Sequence, residues 1–174
     1  MTRHAVLTAI GEDRPGLVEE VSEFILAHGG SIEDSRMANL QGQFAIVMLV
    51  AAAPEAIEQL GGDLDALGSR TGIHARLTPA PPREQAAPRL PYRLTGRSLY
   101  QPGVVHQVAN VLRSLNVNIE SMETTLVAAP VTGAPVFTMD LVVAAPAEIP
   151  VARLRDELAR VCDPLNIEWA LTAI

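Results

Sequence analysis

The chain repeats itself. Asp13-Arg14-Pro15-Gly16-Leu17-Val18 returns 87 residues later as Tyr100-Gln101-Pro102-Gly103-Val104-Val105. At that one offset Leu17, Val18, Val21, Phe24 and Ile25 fall on Val104, Val105, Val108, Val111 and Leu112. The spacing i, i+1, i+4, i+7, i+8 is an apolar stripe along one side of a helix. Ile32-Glu33 falls on Ile119-Glu120 at the same offset. Two short helices can share a stripe by chance, but a shared Pro-Gly and a shared Ile-Glu in one register point to duplication. Each copy must then be a complete small unit, with room for only a few elements.

Strand-like runs, Ala5 to Ile10 and Tyr92 to Gly96, precede the two helices. Pro15 and Pro102 suit a first helical turn, where a missing N–H costs little. Gly29-Gly30 stops the first helix. A strand is expected from about Ser31, a turn at Gln41-Gly42, and a continuous apolar strand over Phe44 to Val50. Phe137 answers Phe44 at an offset of 93, so the second copy carries six more residues in this hairpin, around Pro130 to Pro135. A second helix is expected over Pro54 to Gly68, weakened or kinked at Gly61-Gly62 because each Gly costs about 1 kcal/mol relative to Ala. Its counterpart is Val151 to Cys162. Alternating strands at Ile73, Ala75, Leu77 and at Ile167, Trp169, Leu171 close the copies. Prolines 79, 81, 82, 88 and 91 mark a semi-rigid linker. The expectation is an α+β chain of two ferredoxin-like βαββαβ modules, each a four-stranded antiparallel sheet with two helices on one face. The modules occupy 1–79 and 92–174, joined by a linker at 80–91.

Composition narrows the chemistry. The formal net charge is −7 and no Lys/Arg cluster is present. A nucleic-acid binder needs a basic surface to neutralise phosphates, so direct DNA or RNA contact and adhesion to an anionic membrane are not expected. The longest apolar run, Phe44 to Pro54, is too short to span a bilayer, and no signal-peptide pattern opens the chain. A soluble cytoplasmic protein is the default expectation. Cys162 is the single cysteine, and its apolar neighbours mark it as a core thiol. His4, His28, His74 and His106 do not stand at metal-ligand spacing. With no Gly-x-Ser-x-Gly, Walker or dinucleotide motif either, no catalytic residue, metal or cofactor is expected.

Strand, Asp-Arg-Pro-Gly-Leu-Val, helix, then Gly-Gly-Ser-Ile-Glu resembles the ACT domain, a small-molecule-binding regulatory module. Ala9 to Val18 together with Ser31-Ile32-Glu33-Asp34-Ser35-Arg36 resembles, more narrowly, the glycine cleavage system transcriptional repressor family, a tandem pair of ACT domains. The first copy carries the match; the second shares mainly Pro102-Gly103 and Asn118-Ile119. The resemblance implies a non-enzyme that senses a small amino acid, glycine first, and acts through a protein partner such as a transcriptional activator. By analogy with the family, a homodimer is expected. A regulatory subunit of an amino-acid-metabolism enzyme and a ligand-free assembly module are the alternatives.

An amino acid presents a carboxylate and an ammonium group. A helix N-terminus offers unpaired N–H groups and partial positive charge to the first, here around Pro15, Gly16 and Leu17. Gly16 lets a ligand approach without a Cβ in the way. Asp13 either pairs with the ammonium or favours the helix end electrostatically. Arg14 is a ligand or partner contact, or simply solvated. Asp34, Ser35 and Asn39 are candidates to complete the shell from this subunit or another. In the second copy the candidates are Gln101, Gly103 and Asn118, with local turn bonding as the alternative for Asn118. Asp13 and Arg14 become Tyr100 and Gln101 there, so the first copy is expected to hold the better site.

Overall fold

A computed structural model describes residues 2–81, 87–130 and 132–174. The chain divides into two compact units, 1–84 and 85–174. The first runs β1 (Arg3–Glu12), α1 (Leu17–Ala27), β2 (Ser31–Leu40), β3 (Gln43–Ala52), α2 (Pro54–Gly62), α3 (Leu64–Thr71) and β4 (His74–Ala80). The second runs β5 (Arg89–Leu99), α4 (Val104–Ser114), β6 (Asn118–Ala128), β7 (Pro135–Pro146), α5 (Val151–Cys162) and β8 (Glu168–Ala173). The sheets have the orders β2-β3-β1-β4 and β6-β7-β5-β8, antiparallel throughout. Both copies are therefore the α+β module read from the sequence. They share even a β-bulge, at Ile32/Asp34 and at Ile119/Ser121.

One face of each sheet is closed by its helices. Leu7, Phe44, Met48 and Val50 meet Leu17, Val21, Ile25, Leu60 and Leu67 in the first core. Leu94, Leu141 and Val143 meet Val108, Leu112, Leu154 and Leu158 in the second. Cys162 is fully buried in that core, and burial pushes its thiol up to about 11, which leaves it protonated and unreactive at neutral pH. The helices leave one edge strand of each sheet largely uncovered: every residue of β2 is exposed, and all of β6 except Ile119. Among the described residues no helix is long and apolar enough to cross a membrane.

Two elements differ from the sequence reading. The strands run further, so Ala80 still belongs to β4 and β5 begins at Arg89, inside the stretch read as linker. Pro79 is tolerated because β4 is an edge strand, and Pro91 because it precedes the ladder between β5 and β8. Residues 82–86 of that stretch lie outside the described residues.

The expected helix over 54–68 is two helices, α2 and α3. The glycine pair weakens the turn, and Asp63 (φ −98°, ψ 6°) serves as the end of one helix and the start of the next. The break is held from outside. One ring nitrogen of His28 lies 2.7 Å from the Phe24 carbonyl oxygen and the other 3.0 Å from the Asp63 carboxylate. As an imidazolium, His28 donates to both. The Asp63 carboxylate first, then the Phe24 carbonyl, raise the His28 pKa. A raised folded-state pKa stabilises the charged form, so this contribution is complete below the ordinary value near 6.5 and is lost as pH rises through the higher folded value. Asp63→Asn is expected to flatten the stability profile of the first module over that interval and to leave it little changed well above. A set of thermal melts from pH 5 to 9 checks this.

Candidate functional site

The loop between β1 and α1 is shaped by Gly16. It stands at the helix N-cap with φ 95° and ψ −13°, a left-handed conformation that residues with a Cβ rarely adopt. Its repeat partner Gly103 has φ 90°. The glycine is thus required by the backbone itself, in addition to any room it leaves for a ligand. No side chain caps α1, so its first N–H groups lack both intrahelical and side-chain acceptors. Asp13 makes no capping hydrogen bond to α1.

Asp13 instead faces the β2–β3 hairpin. Its backbone N–H donates to the Gly42 carbonyl at 2.8 Å. Asn39 Nδ2 donates to Asp13 Oδ2 at 2.5 Å, while Asn39 Oδ1 accepts from the Gly42 N–H at 3.2 Å. The turn that allows this uses Gln41 at φ 55° and Gly42 at φ 80°, the conformation favoured in two-residue hairpins. Asp13 Oδ1 accepts no hydrogen bond among the described residues. A carboxylate with one oxygen anchored and one open therefore stands at the mouth of an uncapped helix. That arrangement suits an ammonium group on one side and a carboxylate on the other.

Arg14 points elsewhere. Its guanidinium forms a two-pronged pair with Glu20, Nη1–Oε1 2.6 Å and Nη2–Oε2 3.0 Å. The hydrogen bonding raises the Arg14 pKa and lowers that of Glu20. The structure thus brings Asp13, Arg14, Pro15, Gly16, Leu17 and Asn39 to one end of the module. It does not bring Asp34 and Ser35 there. Asp34 is opposite Leu49 and Asn39 opposite Phe44, a separation of about 17 Å at ~3.4 Å per residue. Asp34 instead accepts from the Ser35 N–H at 2.8 Å and from Arg36.

In the second module Gln101 donates to the Leu165 carbonyl at 2.7 Å. Asn118 donates to Glu120 at 2.7 Å, a local bond. Asn118 pairs with Ala144, while Leu99, just before the loop, pairs with Val136. That is eight residues along β7, about 27 Å at ~3.4 Å per residue, so Asn118 is at the far end from Gln101 and Gly103. The backbone bond of Asp13 is kept, with the Tyr100 N–H donating to Pro135 O at 2.9 Å. The side chains are not kept. Tyr100 replaces Asp13 and Leu126 replaces Asn39, both of them half exposed.

Residues 3–78 match the family model of the ACT domain. The first module belongs to the ACT-domain family. Over 173 residues it is 23% identical to the glycine cleavage system transcriptional repressor of Escherichia coli, covering 98% of this chain and 90% of that protein. A UPF0237 protein of Methanopyrus kandleri is 40% identical over 75 residues, 42% of this chain and 82% of the relative. The crystal structure of an unknown protein from Galdieria sulphuraria matches with a TM-score of 0.85 at 26% identity, over 100% of this chain and 99% of that one. The match to the Escherichia coli protein runs through both ACT modules and the stretch between them.

Sequence reasoning missed two parts of this arrangement. Glu20 as the partner of Arg14 is six residues away, outside the i+3 and i+4 spacings that flag helix pairs. Gly42 was legible as a turn residue, but its contact with Asp13 depends on register, and no local pattern encodes that.

Proposed function

We propose that this ACT-domain protein is a non-catalytic sensor of a small amino acid and acts through a protein partner, a transcriptional activator being the first candidate. The observation that carries the reading is the Asp13–Asn39 pair beside the uncapped N-terminus of α1, together with its replacement by Tyr100 and Leu126 in the other copy. The ligand carboxylate accepts from the N–H groups of Leu17 and its neighbour, where the helix end favours negative charge. The ammonium group donates to Asp13 Oδ1. The name of the Escherichia coli relative makes glycine the first ligand to test. The net charge of −7 supports a partner other than DNA.

Thermal denaturation of the full chain against each of the amino acids tests this. Ligand at 100 times its dissociation constant adds about 2.7 kcal/mol. In a module of this size that raises the melting temperature by roughly 10 °C or more. The expected result is a shift with glycine or another small amino acid. A flat result across the set would contradict the sensor and favour an assembly module without ligand.

A further inference from the structure

The two modules keep one scaffold but differ on the sheet face away from their helices. In the first sheet the two central strands present Val6, Ile10, Val47 and Leu49 on that face. Val47 is 47% and Ile10 52% exposed. The outer strands are basic. Arg76 and His74 of β4 stand beside Thr8 and Ile10, and Arg36 of β2 stands beside Val47. Arg76 and His74 are exposed, and neither forms an ion pair among the described residues. Arg36 bonds within its own strand, to Asp34 and the Ser35 carbonyl. In the second sheet the pattern is inverted. Arg93, Arg97 and Asp140 replace Val6, Ile10 and Val47 at the centre, and Glu123 and Glu168 replace Arg36 and His74 at the margins. Arg93 Nε donates to Asp140 Oδ1 at 2.8 Å there. The scaffold therefore accepts charge at the centre of this face, and the apolar centre of the first copy is not a requirement of folding. A sheet face that is apolar at its centre is stabilised by a further packed layer.

We propose that this face of the first module docks an amphipathic helix of a different protein, apolar along one stripe and acidic along both flanks. Neighbouring strands lie ~4.8 Å apart. The backbones at Arg36 and Arg76, on the two outer strands, are thus about 14 Å apart with Val47 and Thr8 between them. A helix with its side chains is about 10–12 Å across and fits between the two guanidiniums. Val6 to Ile10 is about 14 Å of strand at ~3.4 Å per residue, the length of roughly nine helical residues. Apolar side chains at i, i+3, i+4 and i+7 of the helix therefore cover the apolar centre. Carboxylates on its flanks meet Arg36 and Arg76, and His74 joins them when protonated. Charge selects the occupant. A second copy of this chain laid on the face would set Arg76 and His74 against margins that are basic as well. An anionic bilayer is opposed by the net charge of −7. The inference rests on the protein partner of the proposed function and not on its ligand.

An NMR titration of the isotope-labelled full chain tests it, with a synthetic helix of about 16 residues as the probe. Leucines occupy its i, i+3, i+4, i+7 stripe and glutamates flank them; a control peptide carries lysines in place of the glutamates. The expected result is saturable shifts in amides of β1 to β4, with those of β5 to β8 unmoved. The dissociation constant should lie below about 1 mM, with the control at least about tenfold weaker. Arg76→Glu changes an exposed edge position, so the fold should hold while the acidic peptide binds about tenfold or more weakly. Val6→Arg combined with Val47→Asp, which copies Arg93 and Asp140, should abolish binding. Equal affinity for the two peptides, or an affinity unchanged in Arg76→Glu, would overturn the proposal. So would shifts outside the first sheet, or no binding of the acidic peptide at ~1 mM. If the peptide fails while phosphatidylserine vesicles bind, the face belongs to a membrane and the proposal is wrong. If it fails while the chain self-associates in a way that Arg76→Glu alters, the face belongs to a second copy and the proposal is equally wrong. An amino-acid screen without a thermal shift leaves all these outcomes unchanged, so the ligand reading and the docking reading fail separately.

Discussion

Phe44→Ala should cost the first module about 3–5 kcal/mol, the usual range for removing a buried aromatic side chain and leaving part of its cavity. Phe44 is 1% exposed and sits in the core with Leu7, Leu17 and Ile25. It is also paired with Gly11 on one side and Asn39 on the other, one rung from the candidate site. A domain of this kind holds about 5–15 kcal/mol in total, so the loss takes a large share of it. The repeat supplies the control. Phe137 is the equivalent residue but only half-buried, opposite Ser98, and Phe137→Ala should cost clearly less. Hydrogen exchange of the core amides reads each module separately. In Phe44→Ala the protection of β1 and β3 should fall, while that of β5 and β7 stays. Equal effects of the two substitutions would mean that the cores are not built as described.

Much of this fold was legible because duplication doubles the signal. The stripe from Leu17 to Ile25 and its copy from Val104 to Leu112 specify two helices that bury four of the five expected positions in each copy, while Val18 is exposed and Val105 only partly buried. Asp13 through Leu17 was legible as a candidate site because it is contiguous and its helix end has known chemistry. What was not legible depends on contacts between distant segments. Arg3 and Glu12 are polar and read as strand ends, yet they pair with Ala52 and Gln43 because the ladder continues past the apolar run. The split of the second helix needed a partner, His28, from another element. Ile32, Met37 and Leu40 give no sign in sequence that β2 lies at an edge beyond the helices, where all three are exposed. Asp34 and Asn39 are close in sequence but, in an extended strand, far apart in space.

Asp13→Ala is expected to weaken amino-acid binding by about ten- to a hundredfold, the effect of losing one charge-assisted hydrogen bond to an ammonium group. The change leaves the backbone bond from residue 13 to Gly42 intact, so the hairpin and the loop keep their places. It also leaves Gly16 and the N-terminus of α1 as they are, and the loss should appear in affinity with little change in melting temperature. Tyr100→Ala alters the matching position of the other copy, where no carboxylate and no Asn39 equivalent are present. It should leave affinity for the first site unchanged.

Isothermal titration calorimetry of glycine, alanine and serine into the wild-type chain, Asp13→Ala and Tyr100→Ala is the most direct test that the duplicated fold carries its binding chemistry once, in the first module. One ligand-binding site per chain, lost or severely weakened in Asp13→Ala and kept in Tyr100→Ala, is the predicted result. Binding that survives Asp13→Ala and disappears in Tyr100→Ala would contradict it.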